Sequence, residues 1–441
     1  MRVLFLHNNF PAQFRELARA LAQDPNNEVV YGTKHTDPVQ LAGVRKVNYA
    51  PTREPHPDVH HYVRSYESAV LHGQAVVRMA LQLKQAGFEP DVVCSHSGWG
   101  NGMFIKDVFP KTKLLSYFEW FCNAEGADAD FDPAYPLNMD DYLRIRASNA
   151  PMLVDLYSSD RGISPTYWQR SQFPTEFHDK ITVLHDGVDT NYFYPEPGAK
   201  LVLPEYGLDL SHVDELVTYV SRGMDAYRGF PQFMEAIARL TERRPNCHVV
   251  IVAGDRVAYG PAAPKGNSFK DIMLEKLPSL DLSRVHFAGT MPYGHYKQVL
   301  RASKVHVYLT RPFVLSWSLM ESLSSGCVVV ASDTAPVREV IQDGVNGFLV
   351  DFFSPDKIAD RIEDALIHQT DLQPMREKAR QTALDRYALS TLLPQHIQLL
   401  EELAGPMKDS PAKVTQPIAK SAKPAKPAKS KSAPSKGFGR V

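Results

Sequence analysis

The sequence predicts an α/β protein: two Rossmann-like, doubly wound domains facing a cleft, followed by a disordered tail. Three observations predict it. A strand–turn–helix alternation begins at the first residues, which is the pattern of a parallel sheet covered on both faces. The alternation stops in the Pro- and Gly-containing stretch Tyr194–Gly207 and restarts at Leu216. The chain of 441 residues also has the length of two large domains, at about 100–200 residues each. The expected division is 1–195, 208–385, a terminal helix in 386–405, and a tail over 406–441.

In chain order, Val3–Leu6 reads as a buried strand, followed by a polar turn and a helical pattern at Phe14, Leu17, Ala18 and Leu21. Val29–Tyr31 is a second strand. Residues 66–86 form an amphipathic helix that stops at Gly87, as helices often do. Asp91–Cys94 and Lys113–Tyr117 are further strands. In the second half, Leu216–Val220 leads into SRGMDAYRG and a helix through Leu240. The strands Val249–Ala253, Val285–Ala288, Val305–Leu309, Val328–Ala331 and Phe348–Val350 follow, with helical spacers. Residues 390–404 read as the terminal helix. Ligands of such sheets bind beyond the carboxyl ends of the strands, so the cleft is the expected site.

Hydrophobic residues make up 44% of the chain and charged residues 22%, enough for a large core. The net charge of −1 excludes a generally basic nucleic-acid binder, so no nucleic acid is expected as a partner. The charge is unevenly placed. Residues 406–441 hold eight Lys and one Arg against one Asp, a net of +8, which leaves −9 for the rest. Lys recurs at 420, 423, 426 and 429 among Pro and Ala, a composition that cannot bury a core. Two readings stay open: a solubilising tail, or attachment to an anionic membrane surface. Cys94, Cys122, Cys247 and Cys327 are scattered, which suits free thiols in a reducing cytosol. The apolar run before His7 is too short for a signal-peptide core. A soluble, cytoplasmic protein is expected, peripheral at the inner membrane face if the tail attaches it.

The most informative stretch is Tyr308–Val350. There Met320-Glu321-Ser322-Leu323-Ser324, Gly326, Val328–Ser332 and Glu339–Gly347 follow one another in a fixed order. His185-Asp186-Gly187-Val188-Asp189-Thr190, with Phe193 and Pro195, precedes the linker. Ser221-Arg222 and Arg228-Gly229 flank the loop after the first strand of the second domain. This ordered set resembles the retaining glycosyltransferases of family 4, of GT-B architecture. Their patterns are E-G-F-G, L-E-A-M-A-x-G-x-P-V-V-A-S, P-E-V-V-x-D-G-x-N-G, N-G-V-D-x-x-x-F-x-P and G-R-x5-K-G. The resemblance covers most of 180–350. LHNNFPAQF, SHSGWG, YFEWF and SPTYWQRSQFP look like one bacterial subgroup.

The resemblance implies transfer of a sugar from a nucleotide-sugar donor to an acceptor hydroxyl. It also implies retention by front-face departure and attack, without an enzyme nucleophile. A departing diphosphate gathers negative charge, and donors aimed at that charge lower the barrier. Arg222 and Arg228 suit a two-pronged grip on phosphates. The helix starting near Ser316, Trp317 and Ser318 turns free N–H groups to the same cleft, with Gly187 as a further donor-side residue. No metal or other cofactor is then expected. Glu321 is implied to accept hydrogen bonds from the ribose diol. A second reading stays open for it: Ser318-x-x-Glu321 is also the spacing of a capping box.

Two departures from the pattern stand out. Phe313 occupies the place of a Glu implied to touch the donor sugar, and Arg228 replaces a Lys. On the acceptor side, the candidates are the loops His7–Phe10, Ser95–Asn101 and Phe118–Glu125. Within them Asn8, Asn9 and Phe10 would shape the pocket, while His96 and Glu119 could take a proton or position the sugar. Asp128-Ala-Asp130 has the D-x-D spacing of a metal site, yet its setting in EGADADFDP reads as an exposed acidic loop. His60-His61 has no third ligand at suitable spacing. A glycan or lipid-linked acceptor, and a role in polysaccharide or glycan synthesis, follow from the resemblance alone. Two alternatives remain: a sugar-nucleotide epimerase of the same architecture, which Phe313 leaves open, and a non-catalytic nucleotide-sugar-binding scaffold.

Overall fold

The computed structural model describes residues 1–405; the tail expectations for 406–441 lie outside the described residues. Seven parallel strands form the first sheet. They are β1 (Arg2–Leu6), β2 (Glu28–Thr33), β3 (Val44–Asn48), β4 (Val92–His96), β5 (Lys113–Tyr117), β6 (Arg161–Ser164) and β7 (Ile181–Val183). Their order is β3-β2-β1-β4-β5-β6-β7. Next come a short antiparallel hairpin, β8 (Leu201–Leu203) with β9 (Leu208–Leu210), and a second parallel sheet. That sheet contains β10 (Glu215–Gly223), β11 (Cys247–Gly254), β12 (Val285–Phe287), β13 (Val305–Tyr308), β14 (Val328–Ser332) and β15 (Phe348–Val350). Its order is β12-β11-β10-β13-β14-β15.

Alternation along β1 shows why its apolar run needs cover on both faces. Val3 and Phe5 pack with Leu17 of the Arg15–Leu21 helix and with Leu392, Leu399 and Leu400 of the Leu389–Ala404 helix. Leu4 and Leu6 point the other way, into Ala75, Val76, Met79 and Leu83 of the Arg64–Gln85 helix. All four strand residues are fully buried, each worth roughly 1.5–3 kcal/mol of apolar burial. In the second lobe Val217 and Tyr219 pack on Phe230, Phe233 and Ile237 of the Phe230–Arg243 helix.

The expected strands are present; most are one to four residues longer, while those expected at Val285–Ala288 and Val305–Leu309 are each one residue shorter. The sequence reading missed β3, β6 and β7. It also took as plain linker a stretch that contains β8, whose hairpin packs on Val299 and Ala302 of the second lobe. The chain crosses between lobes twice, and the two crossings pair. Val188 N–H donates to the Tyr387 carbonyl at 2.7 Å, and Leu389 N–H donates to the Val188 carbonyl at 2.9 Å. Gly187 has φ +87° there, and a Cβ would lie 3.0 Å from Leu389 Cα, so glycine lets the crossings touch. The terminal helix therefore returns to the first lobe. In each sheet the strand order reverses beside the first strand, between β1 and β4 and between β10 and β13. Such switch points open a crevice at the strands' carboxyl ends.

Candidate active site

The second lobe's rim is built from the loops after β10, β11 and β13. Asp225 ties the first two: Oδ1 accepts from Arg228 N–H (3.1 Å), and Oδ2 from Ala258 and Tyr259 N–H (3.0 and 3.2 Å). Arg222 and Arg228 flank one ring, with guanidinium carbons 5.9 and 5.0 Å from the centroid of Tyr259. Their situations differ. Arg222 is exposed and makes no ion pair among the described residues. Arg228 is buried, and its guanidinium donates to Thr310 Oγ1 (2.7 Å), Tyr308 Oη (3.4 Å) and the Val314 carbonyl (2.9 Å). It therefore holds the 308–314 loop in place, while Arg222 carries the uncommitted charge.

Ser316 caps the Trp317–Ser324 helix, its Oγ accepting from Ser318 N–H at 3.4 Å and from Ser318 Oγ at 3.0 Å. The Ser316 N–H is itself occupied by Tyr308 Oη at 2.8 Å. Glu321 lies inside the helix, so the capping-box reading fails. Its Oε2 accepts from Tyr296 Oη at 2.8 Å. Burial pushes its carboxyl up to about 7, with Tyr296, Tyr293 and the charge of Arg15 partly offsetting the rise. Glu321, Trp317, Gly187, Asp186, Tyr293 and Arg15 share a cavity of about 260 Å³. Its apolar wall includes Leu17, Leu115, Ile163, Leu389 and Leu393.

Sequence reasoning missed Asp186 as a site residue. Its Oδ2 accepts from Trp317 Nε1 at 2.8 Å and from Tyr117 Oη at 3.1 Å. Burial pushes this carboxyl up to about 6, against the pull of those two donors. A weak signal was in hand: an acid stands where the related pattern has Asn.

On the first lobe, His96 and Glu119 meet as a pair, with Nε2 and Oε2 3.3 Å apart but out of line for a hydrogen bond. His96 Nδ1 lies 2.9 Å from the Ser97 carbonyl, and its ring stacks on Trp99 at 4.8 Å. Gln13 donates to Glu119 Oε1 at 2.9 Å. Burial alone would raise the Glu119 carboxyl. His96, Gln13 and the charge of Arg222 outweigh it and hold the carboxyl below its ordinary value. His7, held well below its ordinary value by burial and then by His96, packs edge-on against His96 at 4.8 Å.

The 8–10 loop needs correction. Phe10 packs into the core against Tyr31, 4.9 Å between ring centroids, and so is closed to an acceptor. Asn8 is buried, with Oδ1 accepting from Tyr49 Oη at 3.0 Å. Asn9 alone is exposed, and its N–H donates to His7 Nδ1 at 2.8 Å.

The acidic loop also differs from its reading. Asp128 Oδ2 accepts from Tyr227 Oη of the other lobe at 2.7 Å, and Asp132 forms a buried pair with Arg311 at 2.6 Å. Phe131 packs on Phe352 and Phe353. The loop is an interlobe clasp. Asp130 Oδ2 accepts from Gly126 N–H at 2.8 Å within the loop. Among the described residues there is no group of three or more His, Cys, Asp or Glu that could hold a metal. Nearby, Phe313 contacts Trp120 across the cleft at 4.7 Å, with Tyr227 and Tyr259 on its own side at 5.4 and 5.3 Å.

Two parallel α/β lobes, each with its switch point turned to a common cleft, define the GT-B class. The solved structures agree. The sucrose-phosphate synthase of Thermosynechococcus elongatus aligns with a TM-score of 0.70 at 16% identity, covering 91% of this chain and 99% of that one. HepE of Anabaena, solved with UDP and glucose, aligns at 0.65 and 15%, with the same coverage. The glycosyl transferase family 4 group matches residues 25–193, and glycosyl transferases group 1 match residues 209–383. The chain belongs to this glycosyltransferase family. The alpha-D-kanosaminyltransferase of Streptomyces kanamyceticus is 31% identical over 187 residues, 42% of this chain and 44% of that protein. The chain thus spans less than half the length of the curated relatives it matches first.

Proposed function

We propose that the protein is a retaining glycosyltransferase that moves a sugar from a nucleotide-sugar donor to an acceptor hydroxyl. One observation carries the reading: Arg222, exposed and without an ion pair among the described residues, stands at the end of β10 beside the switch point of the second lobe, where its charge helps hold the Glu119 carboxyl of the first lobe below its ordinary value. HepE, a structural neighbour, was solved with UDP.

In this reading the diphosphate lies against Arg222 and the start of the Trp317–Ser324 helix, and the ribose meets Glu321. The sugar C1–O bond breaks, and its electron pair goes to the diphosphate oxygen, where Arg222 stabilises the charge. The acceptor oxygen bonds to C1 on the same face, and its proton passes to the departing phosphate oxygen. Arg228 acts indirectly, by fixing the loop ahead of that helix. The positive charge of Arg222 serves there without a metal ion.

The same reading puts the protein in the cytoplasm, in polysaccharide or glycan synthesis, with a glycan or lipid-linked acceptor. The net +8 of residues 406–441 supports attachment to an anionic membrane, at about 1 kcal/mol per basic residue near the surface. No described helix is long and apolar enough to cross a membrane.

The test is a screen of UDP-, GDP- and ADP-sugars for thermal stabilisation, followed by donor hydrolysis and NMR of the product anomer. Binding raises apparent stability by mass action, so no acceptor is needed at the start. Stabilisation by one donor class and a product of unchanged anomeric configuration are expected. The reading is overturned if no nucleotide sugar stabilises the protein, or if an epimerised donor forms without an acceptor.

A further inference from the structure

Three separate parts of the molecule converge on one carboxylate oxygen. Tyr117 ends β5, two residues before Glu119 of the acceptor-side pair. Trp317 opens the helix that carries Glu321. Asp186 lies on the first crossing between lobes, two residues before Val188, which pairs with the second crossing. The Tyr117 hydroxyl and the Trp317 indole N–H both donate to Asp186 Oδ2, at 3.1 and 2.8 Å. Bonds to an ionised acceptor are stronger than neutral ones, and an indole N–H has no second way to satisfy itself. The ring of Tyr117 also packs 5.5 Å from that of His96, so the contact continues into the acceptor-side pair.

We infer that Asp186 is a positioning residue: through Trp317 and Tyr117 it fixes the donor helix relative to the acceptor lobe, in the arrangement that transfer requires. The inference rests on the proposed function for its activity readout. The chemistry fits the role. A side chain on a hinge moves least when lobes rotate, so a bond from each lobe to it defines their angle. Asp186 Oδ1 makes no hydrogen bond among the described residues while the side chain lines the cavity, so the tether uses one oxygen only. An amide at this position would keep that single acceptor oxygen.

The experiment compares Asp186→Ala, Asp186→Asn, Trp317→Phe and Tyr117→Phe in the full chain. Donor affinity is measured by calorimetry, kcat and KM by turnover, and lobe separation by small-angle scattering without nucleotide. Asp186→Ala should lower kcat about 100-fold, the scale of a misplaced reacting group, while donor affinity stays within about threefold. Scattering should show a larger radius of gyration. Asp186→Asn should restore most of the lost kcat. Trp317→Phe combined with Asp186→Ala should be no worse than Asp186→Ala alone, since both break one contact.

An unchanged kcat in Asp186→Ala overturns the inference. So does a loss of donor affinity as large as the loss in kcat, which would make Asp186 a donor ligand. If Asp186→Ala does not fold, Tyr117→Phe, which lies outside the donor-binding machinery, decides by the same split between kcat and affinity. Failure of the wild-type protein to bind any nucleotide sugar would count against the proposed function, whereas the scattering comparison tests the tether without any donor.

Discussion

The two rims of the cleft are built on opposite plans. On the second lobe the charged groups sit close in sequence: Arg222 at the end of β10, and Asp225 and Arg228 just after it, with Asp225 Oδ1 accepting from the Arg228 N–H. On the first lobe the polar groups meet from far apart. Glu119 takes Gln13 from 106 residues away, Asp128 takes Tyr227 from 99 away, and Asp132 takes Arg311 from 179 away. A rim made locally can be read from a motif. A rim made by distant pairs shows only its charges until the partners are known.

The comparison is sharpened most by breaking the longest-range pair. Asp132 and Arg311 are both buried, so Asp132→Ala leaves a guanidinium without its counter-charge. Loss of about 3–5 kcal/mol in denaturant unfolding is expected, the scale for removing one partner of a buried pair. If the loss were under about 1 kcal/mol, as for an exposed pair, the clasp would be an ordinary surface contact and the acidic loop would regain its first reading.

Glu321 gives the next effect, on the locally built side. Its carboxyl binds a proton more tightly in the folded protein than in the unfolded chain, with about 7 against 4.5. The stabilisation is therefore fully present below pH 4.5 and is lost as the pH rises through 7. Across that window wild-type stability should fall by about 3 kcal/mol relative to Glu321→Gln, whose side chain does not titrate. Chemical unfolding of both proteins at half-unit pH steps measures it. Parallel curves would mean that the carboxyl is solvated in solution.

Arg222→Ala should cost about 100-fold in turnover, or about 2.7 kcal/mol, with stability nearly unchanged because the side chain is exposed and makes no ion pair among the described residues. Arg228→Ala should reduce turnover too, but with a loss of stability, since three acceptors on the 308–314 loop lose their donor. Equal loss of activity without any loss of stability in both variants would place both guanidiniums on the phosphates. That result would restore the symmetric clamp suggested by the motif.

The legibility of the molecule follows the same divide. Strands with four or five consecutive apolar residues, such as Val3–Leu6 and Val328–Ala331, announce themselves by burial on both faces. β3 carries Arg45, Lys46 and Asn48 at the sheet's edge, and β8 has three residues before a Pro, so neither shows a period. Glu321 was placed in the cleft by its motif, but the motif held nothing about Tyr296, 25 residues earlier. Arg228 was legible as a charge and not as a buried donor, because its acceptors Tyr308, Thr310 and Val314 lie 80–86 residues on. Asp186 was hidden for the same reason, its indole partner standing 131 residues away.

The smallest expected effect concerns the Asp128-Ala-Asp130 spacing. If it held a divalent ion, both carboxylates would need to turn to one point. Asp128 is instead committed to Tyr227 across the cleft and Asp130 to the backbone of its own loop. Burial also raises the Asp128 carboxyl above its ordinary value, which weakens it as a ligand for a hard cation. In the proposed mechanism the charge that a metal would bring is supplied by Arg222. Treatment with EDTA should therefore leave turnover unchanged within experimental error, and Asp130→Ala should shift stability by no more than about 0.5 kcal/mol. Turnover lost on chelation and regained with manganese would break this account. It would assign the acidic loop to the chemistry and leave Arg222 with a lesser share.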